Sequence, residues 1–473
     1  MAPAAASLEQ ITLPFAFEGF GTSLAWWASQ LGQAESPVVD HLLQLLFADP
    51  SAGGIGLNCT RYNIGGSTDP ARNASFRPGA NVVPCLSSPD EPQLRILERI
   101  VKLREGLPLH VEAFSNSPPQ DLTISGSSAG HQSRFTDNIK LEDVPRFAQF
   151  LVDSVAALLE KGIPVSTLSP INEPSEPVWI VGNNQEGCYW SGPARKALAT
   201  SLRTLLDSTG LKSRGVKLAL AEENNLLNVA RKLDFTSDGD IINVHTYTTD
   251  QFTDISVVKL YAWGIQDTRL LRSYVRSTAQ KRKQPLAVSE FGLGGPSLSS
   301  NICDVGTHGF VLVRHAIHDI VSLNAIRWVY WQAVEDRGSN WGCIQVPFNG
   351  APQSSDILVG AQYHALGMLV RAIPVGTRTF EYWCTTRRVV LINREFMRVV
   401  VASDASRTQR HLTWELASPV SGSFRVLRLE TVDGKAVVND LGVRTVEEGR
   451  PVEIPKGVVE LWDGATTTPA PAA

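Results

Sequence analysis

The chain has 473 residues, 43% hydrophobic and 19% charged, with a formal net charge of −4 and a pI near 6.2. That length suits a large barrel with a smaller companion, and the composition is that of a packed globular protein. The lack of a basic surplus argues against nucleic acid as a partner, and no apolar run reaches the roughly 18–20 residues of a membrane helix.

The opening stretch MAPAAASLEQ is small and polar, with neither the charged n-region nor the apolar h-region of a signal peptide. Eight short apolar segments follow, at residues 15–20, 57–64, 107–114, 165–171, 216–221, 241–247, 286–291 and 326–331. Most are rich in β-branched or aromatic residues and end in Gly, Asn, Ser or Pro, as buried strands do. Between them apolar residues recur at helical spacing: Leu94, Leu97, Ile100 and Val101; Phe147, Phe150, Leu151, Val155 and Leu158; Leu198, Leu202 and Leu205. Asp143-Val144-Pro145 supplies a helix start, and Lys161-Gly162 a cation and a C′ glycine at its end. Residues 311–320 lead directly into the eighth segment.

Strands alternating with helices imply a parallel sheet. Eight of them in about 335 residues fit a (β/α)8 barrel, a TIM-type α/β fold, better than an open Rossmann-like sheet. After about residue 370 the pattern changes to short alternating strands at 387–393, 397–402, 411–416, 422–429 and 458–461, with turns such as Asp433-Gly434. That predicts an antiparallel β-sandwich. The expected division is a catalytic barrel over 1–368, with the extreme N-terminus a candidate to join the side domain. A β-sandwich side domain over 369–465 and a disordered low-complexity tail over 466–473 complete it.

Cys59, Cys85, Cys188, Cys303, Cys343 and Cys384 form no CxxC pair, so zinc is not expected. Their even number permits disulfides without showing any. Asn58-Cys59-Thr60 and Asn73-Ala74-Ser75 have the form of glycosylation sites.

In a barrel, chemistry sits at the C-terminal ends of the strands. The fourth segment ends Ser169-Pro170-Ile171-Asn172-Glu173-Pro174 and the seventh Ser289-Glu290-Phe291-Gly292. Each sets a carboxylate where a strand opens into a loop, and the two strands lie on opposite sides of an eight-stranded barrel. Two facing carboxylates about 5–5.5 Å apart are what retaining glycosidic hydrolysis needs. One attacks the anomeric carbon; the other protonates the leaving oxygen and later activates water. Arg61 on the second strand would keep the nucleophile ionised, and Asn172 could hold a sugar hydroxyl. His245 and Tyr247 point to one side by strand alternation, and Trp331 offers a flat face for a sugar ring.

The segments Gly19-Phe20-Gly21-Thr22-Ser23-Leu24-Ala25-Trp26-Trp27, Arg61-Tyr62-Asn63-Ile64-Gly65-Gly66, 169–174 and 289–292 together resemble glycoside hydrolase family 30. The resemblance runs on to Tyr363-His364-Ala365-Leu366-Gly367, where that family enters its side β-domain. Trp26-Trp27, Phe114-Ser115-Asn116-Ser117-Pro118-Pro119 and Gln185-Glu186-Gly187-Cys188 are most similar to the endo-β-1,6-galactanase subgroup. The resemblance implies acid/base Glu173, nucleophile Glu290, and substrate contacts at Arg61, Asn172, His245, Tyr247, Trp331, Trp27 and Asn116, with no metal or organic cofactor. It further implies a secreted monomer acting on β-1,6-linked galactan or galactooligosaccharides, such as arabinogalactan side chains. Two departures bear on specificity. Gln120-Asp121-Leu122 stand where aromatic residues usually follow Ser-Pro-Pro, in a loop expected to border the cleft, and Phe291 replaces a common tyrosine.

Other readings remain open. A β-1,6-glucanase, an exo-acting β-1,6-galactobiohydrolase, a β-glucosidase-type enzyme or a xylanase would share the chemistry, and a non-catalytic carbohydrate-binding barrel would share the fold. Gly126-Ser127-Ser128-Ala129-Gly130 matches the esterase GxSxG elbow but lacks an apolar helix behind it. Glu222 and Glu223, followed by Asn224-Asn225, are expected on a polar rim, and Glu18 is ambiguous.

Overall fold

The computed structural model describes residues 8–33, 36–66, 90–247, 269–295, 298–385, 387–405 and 413–464. Eight parallel strands close into a barrel: β2 (Gly19–Ser23), β3 (Cys59–Ile64), β4 (His110–Ser115), β5 (Val165–Ser169), β6 (Lys217–Glu223), β7 (Ile241–His245), β8 (Leu286–Phe291) and β9 (Ala325–Tyr330). Each expected segment corresponds to one strand. Only the first is displaced, its strand starting at Gly19; just before it Phe17 is still tied to the neighbouring domain, its amide donating to the Thr377 carbonyl at 2.9 Å. At Gly21 the backbone of β3 comes so close that an added Cβ would overlap the Cys59 carbonyl.

The barrel strands are buried nearly throughout, as expected where helices cover a closed parallel sheet. Helices Val144–Glu160 and Gly192–Ser208 illustrate how they cover it. The first begins with Pro145 in its first turn and buries Phe147, Leu151, Val155 and Leu158; the second is capped by the Ser191 hydroxyl, which accepts from the Ala194 amide. Among the described residues no helix is long and apolar enough to cross a membrane.

Beyond the helix Ala361–Ala372 the chain builds a seven-stranded antiparallel sheet in the order β1-β13-β14-β15-β20-β17-β18. These are β1 (Glu9–Thr12), β13 (Thr379–Cys384), β14 (Arg388–Asn393), β15 (Arg398–Ser403), β20 (Val459–Asp463), β17 (Gly422–Val432) and β18 (Lys435–Val446). The pair β16 (Thr413–Ala417) and β19 (Pro451–Pro455) covers one face. Alternation divides the side chains between two cores. Val390, Ile392, Val399 and Val401 meet Trp414, Leu416 and Ile454. Val389, Leu391, Val400 and Ala402 join the core that continues into the barrel.

Cys59, Cys188, Cys303, Cys343 and Cys384 are free thiols, whereas Cys85 lies outside the described residues. Asn58 is buried at the start of β3, where its Oδ1 accepts from the Phe20 amide at 3.2 Å. In the folded protein no oligosaccharide can be carried there. Asn73 lies outside the described residues, as does the tail 466–473.

Candidate active site

The end of β5 sets Glu173 in the left-handed region, at φ 45°. A non-glycine residue there costs of order 1–3 kcal/mol and persists only when its surroundings hold it. Both sides of the residue are held: its amide donates to the Glu222 carbonyl at 2.8 Å, and its carbonyl accepts from Trp179 Nε1 at 2.7 Å. Its Oε1 faces two nitrogens, Asn224 Nδ2 at 2.7 Å and His245 Nδ1 at 3.1 Å.

Glu290 rises from β8. Arg61 Nη1 donates to its Oε2 at 2.8 Å and the Tyr247 hydroxyl to its Oε1 at 3.0 Å. Burial pushes its carboxyl above the usual range, with His245 and then Arg61 pulling the other way. Arg61 therefore acts in the expected sense, but desolvation is the larger effect. Arg61 lies over the Phe114 ring at 4.0 Å and also donates from Nε to Glu112 Oε1 at 2.9 Å. Burial holds the Tyr247 phenol protonated, so it remains a donor.

One oxygen of Glu173, one nitrogen of His245 and one oxygen of Glu290 all lie within 4.8 Å of one another. Three such groups could in principle hold a cation. Here each facing atom already has a protein partner, and the Arg61 guanidinium would repel an ion beside Glu290. The separation instead matches the carboxyl spacing of retaining glycoside hydrolysis.

A cleft of about 300 Å³ opens over the pair, lined by Trp26, Glu173, Gln185, Asn224, Tyr247, Glu290, Trp331, Glu335 and Trp341. Of the residues expected from sequence, Arg61, His245 and Tyr247 meet the carboxylates directly, and Trp331 forms part of the wall. Asn172 is buried beside Glu173, with its Oδ1 unbonded within the protein.

Four expectations need correction. Trp27 is not a substrate contact: it is wholly buried, donating from Nε1 to the Ser23 carbonyl at 2.9 Å, and Trp26 faces the cleft instead. Trp26 adopts φ 71° and meets Trp331 edge to face, with ring centroids 5.2 Å apart. Asn116 is buried and does not line the cleft, though neither of its amide atoms has a hydrogen-bond partner. Residues 120–122 form a short 3-10 turn with Leu122 buried, and none of the three lines the cleft. Glu222 and Glu223 are not on a rim. A β-bulge at 221–223 turns both inward to full burial, Glu223 pairing with Arg195 at 2.5 Å. Glu18 pairs with Arg327, and residues 126–130 form a loop.

Gln185, Glu335 and Trp341 are cleft residues that sequence reasoning missed. Gln185 falls in a segment quoted for the family resemblance; Glu335 ends a two-residue strand, Val334–Glu335, and Trp341 lies in the loop that follows it, a path no local pattern reveals.

The sequence model of O-glycosyl hydrolase family 30 matches residues 104–339. The chain is 25% identical over 390 residues to an endo-β-1,6-galactanase of Hypocrea rufa, covering 76% of this chain and 72% of that protein. It is 22% identical over 439 residues to an exo-β-1,6-galactobiohydrolase of Bifidobacterium longum, covering 70% of this chain but only 28% of that longer protein. A conserved exported protein from Bacteroides fragilis shares the fold at TM-score 0.72 and 17% identity, with 95% and 98% of the two chains covered. The catalytic domain of a family 30 xylanase from Talaromyces cellulolyticus does so at TM-score 0.65 and 13% identity, covering 98% and 99%.

Proposed function

The chain belongs to glycoside hydrolase family 30, and we propose that it cleaves β-1,6-linked galactan by double displacement with retention of anomeric configuration. The observation that carries the mechanism is the approach of Glu173 and Glu290 within 4.8 Å, too close for a water to be activated between them as inversion requires. Glu290 attacks the anomeric carbon, and Glu173 gives its proton to the departing glycosidic oxygen. In the second half-reaction Glu173 takes a proton from water as the water oxygen displaces Glu290. Arg61 and Tyr247 orient the nucleophile. Trp26, Trp331 and Trp341 provide the aromatic faces of a sugar subsite.

The galactan reading is supported by the names of the Hypocrea rufa and Bifidobacterium longum relatives. One chain supplies every group of the scheme, so the chemistry needs no second copy, and a monomer is our reading. Such polysaccharides are met outside the cell, where we place its work.

The test is product analysis on β-1,6-galactooligosaccharides beside gentiooligosaccharides, followed by proton NMR. Release of β-configured products from the galactose series is expected. Activity confined to the glucose series would overturn the substrate and spare the mechanism; α-configured first products would overturn the mechanism.

A further inference from the structure

Beneath the two catalytic carboxyls lies a third that touches neither the cleft nor the substrate path. Glu222 is wholly buried at the bulged end of β6, where Ala221 and Glu222 both take left-handed backbone angles, φ 98° and 51°. Two such residues in succession are strained, and the surrounding bonds must hold them. The carboxylate is saturated: Oε1 accepts from the Ser169 hydroxyl at 2.7 Å and Asn243 Nδ2 at 2.6 Å, while Oε2 accepts from the Ser289 hydroxyl at 2.8 Å and faces His245 Nε2 at 2.6 Å. Arg61 Nη2 stands 3.3 Å from Oε2. A carboxylate offers about four lone-pair sites, so Glu222 has no place left for a proton of its own and is held well below the usual carboxylate range.

An ionised Glu222 fixes a proton on His245 Nε2. The other nitrogen, Nδ1, faces two more carboxyls, Glu173 Oε1 at 3.1 Å and Glu290 Oε1 at 3.7 Å. Among the described residues the groups around the ring are thus Glu173 from the loop after β5, with Glu176 of the same loop acting at longer range, Glu222 from β6, Glu290 from β8 and Tyr247 following β7, with Arg61 from β3 as the opposing cation. Glu112 from β4 partly neutralises that cation.

From this geometry we infer that Glu222 is a positioning residue, which keeps His245 doubly protonated so that Nδ1–H and Asn224 Nδ2–H both donate to Glu173 Oε1 and the catalytic proton resides on Glu173 Oε2. Burial works against the imidazolium, but the surrounding carboxylates outweigh it and raise His245 to about 10. With Oε1 occupied by two donors, Oε2 is the oxygen that gives its proton to the leaving group and recovers one from water. Were His245 neutral and accepting at Nδ1, the Glu173 proton would point at the ring instead of the substrate.

This inference rests on Glu173 as the acid, and the experiment separates the two. In Glu222→Gln, a wrongly placed proton hurts substrates whose leaving group needs protonation. The ratio of kcat/KM for a galactooligosaccharide to that for a dinitrophenyl β-galactoside is expected to fall at least about tenfold, about 1.4 kcal/mol. Equal loss on both substrates would reduce Glu222 to a structural role and overturn the inference. Glu173→Ala run alongside must show the same leaving-group bias; if it does not, the acid assignment itself fails. A measurement on the unaltered protein removes dependence on the variant's folding. With 15N-labelled histidine, and His245→Gln used to assign the signal, both ring nitrogens of His245 should remain protonated at pH 8. A His245 that titrates near 6.5 would overturn the proposal.

Discussion

Glu335 brings a further carboxyl to the cleft, and its environment differs from those of Glu173 and Glu290. It receives a 2.6 Å hydrogen bond from Gln332 but, among the described residues, pairs with no cation, and burial pushes it up to about 7 against the pull of Gln332 and Ser339. Because the folded value lies above the unfolded one, near 4.5, the folded state holds the proton more tightly. Its contribution to stability is therefore full below about pH 4.5 and lost as pH rises through about 7, at most roughly 3 kcal/mol. Glu335→Gln imitates the protonated form. Its melting temperature relative to the wild type should rise between pH 5 and pH 8, and a difference unchanged by pH would refute the argument. Nothing local marks Glu335 in the sequence. That Glu173, His245, Tyr247 and Glu290 would gather was legible because strand ends make position and chemistry coincide, and Arg61 joins them from within β3. Trp26 and Trp27 were not legible, because adjacent tryptophans cannot be told apart until the left-handed turn at Trp26 is known.

At the scale of elements, the barrel strands announced themselves by apolar composition, since a strand covered on both faces has little room for polar residues. The side-sheet strands β13, β18 and β19 escaped. In β18 and β19 the alternation includes exposed charged and polar residues that read as loop, and in β18 only Val446 is buried; β13 has no exposed residue and turns Phe380 and Tyr382 inward, so its alternation was there to be read. Loops are the least legible elements. The segment after β8 makes the cleft wall by leaving room: a Cβ on Gly294 would overlap the Trp341 indole, and one on Gly292 would crowd Trp331 at 3.1 Å and Trp341 at 3.2 Å. Gly294→Ala should therefore displace Trp341 and remove contact area that substrate and transition state share. KM for oligosaccharides is expected to rise about tenfold with kcat nearly unchanged, the signature of lost uniform binding. A fall in kcat at constant KM would instead show that Trp341 acts on the reacting sugar in the transition state.

For the whole molecule, the chain's course joins the two domains at both ends of the barrel. It begins in the side sheet, where β1 pairs with β13 through Glu9–Tyr382 and Thr12–Thr379, then runs round the barrel before returning to complete that sheet. Between the domains the apolar core is continuous: Val389, Leu391, Val400, Ala402, Leu429 and Leu461 belong to the same cluster as Ile317, Leu366 and Leu369. Separating the domains would expose that whole face to water, at about 25 cal/mol for each Å² of apolar surface. Proteins of this size commonly lose their domains one at a time, but here neither part retains its burial without the other. In rising denaturant, hydrogen exchange at β14 and β15 should therefore lose protection together with the helices Phe310–Leu323 and Ala361–Ala372. Removing residues 1–12 leaves β13 as an unpaired edge, so it should lower the midpoint of that common transition rather than split it. Side-sheet amides that exchange at a lower denaturant concentration than those of the two helices, in the intact chain, would show the domains to be separately stable and the shared core to be only a contact surface.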